Sequence, residues 1–295
     1  MEYCVLRGLN TQYSITLYKK DTDMLIRGKK IGIIGCGNMG EAILNRLSNI
    51  LEKSVSIMAS EFDAKRRDYI QSRYKVIVEI DNNEVVKFAD VIILAVKPKD
   101  LEAVFKAEVC CGVSKDKLLI SIAAGITTKY IESIVGKDVP VIRVMPNMAA
   151  TIGESVSSIS PGSAVTPEHM ELAKEIFLTI GDVVEVDEKL VDAVTAISGS
   201  GPAYFFYMIE ALIEAGCAAG LKEDVAKSLV LKTALGSAKL LEILKEPPAV
   251  LRSKVTSKGG TTEAAIKVFE SKKFKNIIKD AVKAARARSK ELSTM

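Results

Sequence analysis

Histidine is almost missing from this chain: its 295 residues contain one, His169. A single imidazole excludes any mechanism that needs two, and with it most histidine-rich metal sites and proton relays. Cysteine is scarce and odd in number. Cys4, Cys36, Cys110, Cys111 and Cys217 form no CxxC pair, so neither a disulfide framework nor a structural zinc site is expected, and reduced thiols suit a cytoplasmic protein. No metal is expected. Long apolar runs are also lacking. The longest uncharged run, Ala193 to Ile209, contains Gly199, Gly201, Pro202 and several hydroxyls, whereas a spanning helix needs about 20 mostly apolar residues. The start of the chain carries Glu2 and Arg7 rather than a basic cap before an apolar stretch, so no leader is expected. Neither sign of charge dominates: 41 basic residues face 37 acidic ones, a net charge of +4, too mild to imply a nucleic-acid or membrane partner. Repeats and low-complexity segments are absent. With 48% hydrophobic residues, 19 Gly and 8 Pro, fully disordered and collagen-like chains are excluded as well.

What is present alternates. Residues 1–28 show no clear periodicity and are expected to be an extension, either a disordered arm or the result of an early start codon ahead of Met24. After Lys29-Lys30 comes the apolar run Ile31–Ile34, then a helical pattern over 39–51. Further strands are expected at Val55–Ala59, Tyr74–Val78, Val91–Val96, Leu118–Ile122, Val139–Val144, Ser155–Ser160 and Val183–Val186. Helices are expected at Asp63–Ser72, Asn82–Phe88, from about Asp100, near Thr127–Val135 and near Pro167–Thr179. Continuous apolar strands between amphipathic helices predict a doubly wound α/β domain, a parallel sheet covered on both faces, over 29–187. From Glu188 to the end at 295 the strand signals stop. Pro202–Ala218, Lys222–Leu244, Thr262–Glu270 and Phe274–Leu292 predict an all-α domain punctuated by glycine and proline.

Gly35-Cys36-Gly37-Asn38-Met39-Gly40 is a GxGxxG that follows a strand and opens a helix. In that context the first glycine makes the tight turn, the second lets backbone approach a pyrophosphate, and the third lets helix and strand pack. The helix start then presents free N–H groups to the phosphates. A ligand-free βα turn would leave three glycines weakening the fold without compensation. The residue ending the second strand of such a fold selects the cofactor, because an acidic group bonds the ribose hydroxyls and repels a 2′-phosphate. Glu61 stands there, with Arg66 and Arg67 just beyond. The expectation leans to NADH over NADPH. Ala95-Val96-Lys97-Pro98 and Ser121-Ile122-Ala123-Ala124-Gly125 close two further strands at the end where ligands lie in such sheets.

In the helical half, Ser198-Gly199-Ser200-Gly201-Pro202 opens one helix, with proline suited to its first position. Val255-Thr256-Ser257-Lys258-Gly259-Gly260-Thr261-Thr262-Glu263 opens another. Two glycines that bare backbone amides, a helix dipole and two threonine hydroxyls describe an anion site, although the threonines could equally serve as N-caps. The helix Glu223–Leu244 carries apolar Val225, Leu229, Ala234, Ala238 and Leu241, a face suited to a dimer core. His169, in the first turn of its helix, is expected to be a solvated bystander. Cys36 is expected to matter through its backbone, not its thiol, and Cys110-Cys111 to pack.

From about Lys30 to Leu292 the sequence resembles the pyrroline-5-carboxylate reductases. IGIIGCGNMG, LAVKP, SIAAG, RVMPN, SGSGPAYFF and VTSKGGTTEAAI occur in that order, and the last two are the most specific to the family. The resemblance implies a Rossmann-like N-terminal domain, an all-α C-terminal dimerisation domain, and NAD(P)H-dependent reduction of 1-pyrroline-5-carboxylate to L-proline, the last step of proline biosynthesis. It implies cofactor contacts at Ile34, Gly35, Cys36, Gly37, Asn38, Met39, Glu61, Asn82, Ala95, Val96, Lys97, Pro98, Ile122, Ala123 and Ala124. It implies substrate contacts at Glu188, Gly260, Thr261 and Thr262, with Thr262 the catalytic residue beside the ring nitrogen. A homo-oligomer is implied too: interlocked dimers, or larger rings of them, in which one subunit's GGTT segment serves the other's cofactor. Lys258 and Lys254 depart from the family's proline and asparagine. Two rivals predict different residues: a 3-hydroxyacid dehydrogenase would carry a catalytic lysine in a glycine- and asparagine-rich motif, and a non-catalytic dinucleotide-binding regulator would not need an anion site.

Overall fold

The computed structural model describes residues 25–50, 56–105 and 112–293. The expectations for residues 1–24, for Val55 and for Cys110-Cys111 lie outside the described residues. The described chain divides into two compact units, one ending at Gly199 and regaining the chain from Arg286, the other spanning Ser200–Ala285.

The first unit is built on an eight-stranded sheet: β1 (Lys30–Ile34), β2 (Ser56–Ser60), β3 (Ile77–Glu79), β4 (Val91–Leu94), β5 (Leu118–Ser121), β6 (Val141–Met145), β7 (Ser155–Pro161) and β8 (Gly181–Glu185). Their order is β3-β2-β1-β4-β5-β6-β7-β8, which reverses direction about β1, as a doubly wound sheet does. Neighbours are parallel from β3 to β6. Alternate residues of each strand enter opposite cores. Ile31, Ile33, Ile93, Ile120 and Ile142 bury one face against Ile43 and Leu47 of α1 (Asn38–Ile50) and Ile176 and Phe177 of α6 (Pro167–Leu178). Ile34, Ile92, Leu94, Leu119 and Val141 bury the other against Val85 of α3 (Asn82–Phe88), Leu101 of α4 (Pro98–Val104) and Ile131 of α5 (Thr128–Val135). Each such side chain removed from water contributes about 1.5–3 kcal/mol, so the sheet's two covered faces hold the strand exits in place.

Several features differ from the sequence expectation. The third strand covers Ile77–Glu79 and not Tyr74–Val78, because α2 (Ala64–Tyr74) keeps its helical turns to Tyr74. β7 runs antiparallel to β6. The link between them is a short 3-10 turn at Met148–Ile152, and a parallel return needs a crossover of a dozen or more residues. The first compact unit runs on to Gly199, past the boundary near Asp187 that the sequence suggests. The connecting segment is bonded into the first unit: the Glu188 carboxylate accepts from Thr128, Val191 and Ala196 are buried, and Ser289 donates to Asp192. Within this segment α7 (Val191–Val194) runs into a π-helix at Thr195–Gly199, a distortion that single-turn insertions of this kind bring to functional regions.

The second unit is helical, as the sequence predicts, with one short helix at Pro248–Lys254 that the sequence reading does not include. It comprises α8 (Gly201–Ala218), α9 (Glu223–Leu244), α10 (Pro248–Lys254), α11 (Thr261–Ser271) and most of α12 (Phe274–Leu292). Much of its apolar surface is open in the single chain: Phe205 is 72% exposed, Phe206 58% and Leu229 54%.

Candidate functional site

The site residues of the first unit are brought together by one row of backbone hydrogen bonds that continues the sheet past its carboxyl ends. Glu61 N–H donates to the Glu79 carbonyl, Gly35 N–H to Ser60, Ala95 N–H to Ile34 and Ile122 N–H to Leu94. Five adjacent strand exits thereby form one ledge, carrying Gly35, Glu61, Ala95 and Ile122 side by side. Gly35 has φ +93°, a left-handed turn that L side chains rarely adopt. A Cβ on Gly40 would drive into the Gly35 carbonyl oxygen, so α1 can start this close to β1 only without one. A Cβ on Gly37 would meet nothing within 4 Å. The ledge is therefore open above Gly37, where the amides of the first turn of α1 lack helical partners.

The Glu61 carboxylate is pinned to backbone at both oxygens. Cys36 N–H donates to Oε2 and Asp63 N–H to Oε1, each at 3.0 Å. Both nearby arginines are engaged. Arg66 Nε donates to the Cys36 carbonyl at 2.8 Å and pairs with Glu41, while Arg67 donates to the carbonyls of Glu61 and Phe62 at 2.9 and 3.1 Å. Burial of Glu41 is outweighed by the hydrogen bonds from Tyr74, Arg66 and Tyr69, which hold its carboxyl below the ordinary range. Burial, with Glu61 beside it, pushes the Cys36 thiol up to about 12. The thiol stays protonated and the residue serves the turn through its backbone. Asn82 accepts a hydrogen bond from Ser60 Oγ at its own Oδ1, 2.6 Å away, which leaves the amide NH₂ to be donated elsewhere. Lys97 and Pro98 open α4 and are exposed, and Ala123 is buried.

A concavity of about 310 Å³ lies beside the start of α1. Asn38 and Met39, two of the expected cofactor contacts, line it together with Pro146, Asn147 and Met148 from the exit of β6 and Gly199 from the end of the π-helix. The RVMPN motif carries the resemblance without an assigned role in the sequence. The rule that ligands lie at strand exits was the signal for Pro146 and Asn147, whereas Gly199 becomes visible only in three dimensions.

Glu188 closes a separate cluster. Both its oxygens accept from Thr128, from the backbone N–H and from Oγ1, at 2.7 Å each, and Arg143 Nη1 stands 3.4 Å from Oε1. The family resemblance points to Glu188 alone; the other two residues lie 60 and 45 positions away.

In the second unit, α11 begins at Thr261, and its N-cap is Gly260 with no side-chain cap. Thr261 and Thr262 are thus the first two helical residues and not caps. The expectation that Gly259 and Gly260 bare their amides is corrected. Gly259 N–H donates to Glu263 Oε2 at 2.8 Å and Gly260 N–H to the Ser257 carbonyl at 3.0 Å, because a glutamate in the first turn reaches back as in a capping box. The amides left without helical partners are those of Thr261, Thr262 and Glu263, with the two threonine hydroxyls beside them. Lys254 Nζ is held by both Glu246 oxygens, at 2.8 and 2.7 Å. His169 is no bystander: its Nδ1 accepts from Thr166 N–H while Thr166 Oγ1 accepts from His169 N–H, a reciprocal cap on α6. Among the described residues no cluster of three or more His, Cys, Asp or Glu is placed to hold a metal ion, and no helix is long and apolar enough to cross a membrane.

Comparison with known proteins also finds two parts. Residues 188–292 match the family described as pyrroline-5-carboxylate reductase dimerisation, and residues 30–125 match the family described as NADP oxidoreductase coenzyme F420-dependent. A pyrroline-5-carboxylate reductase of Synechocystis is 45% identical over 266 residues, 89% of this chain and 98% of that protein. The solved reductase of Coxiella burnetii superposes with a TM-score of 0.83 at 34% identity, covering 90% of this chain and 98% of that one. The structure of the Plasmodium falciparum enzyme with NADP bound has a TM-score of 0.81 at 30% identity, covering 91% and 99%.

Proposed function

Because this chain belongs to the pyrroline-5-carboxylate reductase family, an oxidoreductase family that reduces 1-pyrroline-5-carboxylate to L-proline with a nicotinamide dinucleotide, we propose that its strand-exit ledge holds the cofactor and that Gly260, Thr261 and Thr262 hold the substrate. The observation that carries the cofactor half is the ledge itself: an open helix start over Gly37, beside a carboxylate already fixed where a ribose would lie. The cofactor's pyrophosphate fits the open amides of Gly37 to Met39, its ribose Glu61 and Asn82, and its nicotinamide half the exits at Ala95–Pro98 and Ile122–Ala124. The family acts with NADH or NADPH, and the two engaged arginines favour NADH here.

When bound, the reduced nicotinamide supplies a hydride to the imine carbon. The chain's own task is placement, since the imine is its own electrophile once its nitrogen is protonated. The amides of the first turn of α11 grip the substrate carboxylate with the help of the helix dipole. Thr262 Oγ1 hydrogen-bonds the ring nitrogen and orients it, so that one proton stays on nitrogen as the carbon is reduced. Glu188 adds a carboxylate facing the same positive nitrogen. The match of residues 188–292 to a dimerisation family supports a homo-oligomer, and we take it to be interlocked dimers, cytoplasmic, in which one subunit's Gly260–Thr262 segment serves another's cofactor.

Loss of NADH and NADPH absorbance with 1-pyrroline-5-carboxylate, set against a panel of hydroxyacids, tests the activity directly. Turnover is expected with the cyclic imine alone; turnover confined to a hydroxyacid would end this reading. Losing a hydrogen bond to a charged group costs about 1.5–3 kcal/mol, so Thr262→Ala should lower kcat/KM roughly 10- to 150-fold while NADH still binds. Unchanged kinetics would remove Thr262 from the site.

A further inference from the structure

Arg143 sits in the middle of β6, paired in register with Ser121 of β5 and Ser160 of β7. Its side chain is 4% exposed. Nη2 is buried and meets no hydrogen-bond partner, and Nη1 reaches Glu188 only at 3.4 Å. As a stabilising device this is poor. Burying a guanidinium costs several kcal/mol, and apolar residues of similar volume usually replace such pairs without loss. The partner is what makes sense of the charge. The Glu188 side chain stays 23% exposed, while Thr128 N–H, Thr128 Oγ1 and Arg143 fix its carboxylate. A carboxylate offers about four acceptor sites. Three donors aim it and leave capacity for a ligand's N–H.

We propose that Arg143 is a positioning residue for substrate binding, acting through Glu188. This rests on the reading that Glu188 meets the substrate's ring nitrogen. Arg143 does two things there. It holds the carboxylate in the one direction that a cationic N–H can use, and it cancels part of a negative charge that would otherwise repel the substrate's own carboxylate. It touches neither substrate nor cofactor.

The test is a mutant cycle on the full oligomer: Arg143→Met, Arg143→Lys, Glu188→Gln and the double variant Arg143→Met/Glu188→Gln. KM for the imine, kcat and the Kd for NADH are read for each. Arg143→Met should raise KM for the imine by roughly 10- to 100-fold, the effect of losing a charged hydrogen bond, with the NADH Kd unchanged within about twofold. Arg143→Lys, which keeps the charge and loses the fork, should lie between wild type and Arg143→Met. The double variant should be no worse than Glu188→Gln alone, since both substitutions break one unit. If Arg143→Met does not fold, Arg143→Lys and its double with Glu188→Gln carry the same comparison. An unchanged KM, a parallel loss of NADH affinity, or effects that multiply in the double variant would overturn the proposal. Should Glu188→Gln itself leave KM unchanged, it is the placement of Glu188 near substrate that fails. Should Glu188→Gln raise KM while Arg143→Met does not, the failure is confined to Arg143.

Discussion

Glu61 shows what one side chain's hydrogen bonds decide. Its two oxygens accept from Cys36 N–H and Asp63 N–H, so the negative charge cannot swing aside when a cofactor arrives. Arg66 and Arg67 could have neutralised an incoming 2′-phosphate, but one braces the Cys36 carbonyl and Glu41 and the other holds two carbonyls of the turn. Like charges brought together cost several kcal/mol. Glu61→Ser should therefore raise the NADPH-to-NADH ratio of kcat/KM by at least about tenfold, read from initial rates with each cofactor. A ratio that does not move would show that Glu61 does not face the ribose. The position of Glu61 was legible in the sequence, because it ends the second strand of a glycine-turn unit. The fate of the arginines was not. Two cations after an acidic residue more often solvate a helix than bind phosphate, and nothing in the sequence shows the backbone carbonyls that these two reach.

Elements with a strong period were read almost to the residue, as α3 (Asn82–Phe88) and α12 (Phe274–Leu292) show. Apolar spacing carries helix length and the buried face, and nothing in it carries strand direction. The antiparallel β7 follows instead from how few residues link it to β6. The π-helix at Thr195–Gly199 has no periodic signature, and the bonds that tie Glu188 to Thr128 span 60 positions. Helix α6 adds a feature that sequence alone undervalued. His169 stands at the third helical position, where a capping box commonly has Glu or Gln, and its Nδ1 accepts from Thr166 N–H at 3.2 Å. Burial lowers its pKa from 6.5, opposed by Glu168 and aided by Lys29. Between that ordinary value and the lower folded one, the unfolded chain binds the proton and the native ring resists it. Stability should therefore fall as pH drops below about 6.5, by well under about 1 kcal/mol given the size of a single cap. His169→Gln keeps an acceptor at this position and removes the titration. Thermal midpoints from neutral pH to about pH 5 should fall more steeply for the wild type than for this variant, and parallel curves would rule out His169 as the source.

At the scale of the molecule the proposed contacts divide by unit. Every proposed cofactor residue lies in the first, and Gly260, Thr261 and Thr262 lie in the second. The second unit is also where the single chain leaves its apolar side chains uncovered. Phe205, Phe206, Leu229, Leu235 and Leu240 are each at least 50% exposed, and monomeric proteins rarely leave so much contiguous apolar surface in water. The sequence announced this face through the spacing of Val225, Leu229 and Leu241 on α9, and residues 188–292 match a dimerisation family. A cation placed there must be buried unpaired when subunits associate, which costs several kcal/mol. Leu229→Lys and Phe206→Lys should accordingly shift the protein toward monomer in light scattering. They should lose most imine reduction, because substrate and cofactor segments from different subunits no longer meet. NADH binding, for which every proposed contact lies in the first unit, should persist with an affinity within about threefold of wild type, a change of less than about 0.7 kcal/mol. If these variants become monomeric yet keep full activity, each chain completes its own site and the shared-site arrangement is wrong. If they stay oligomeric and active, the exposed face of α8 and α9 is not the subunit contact.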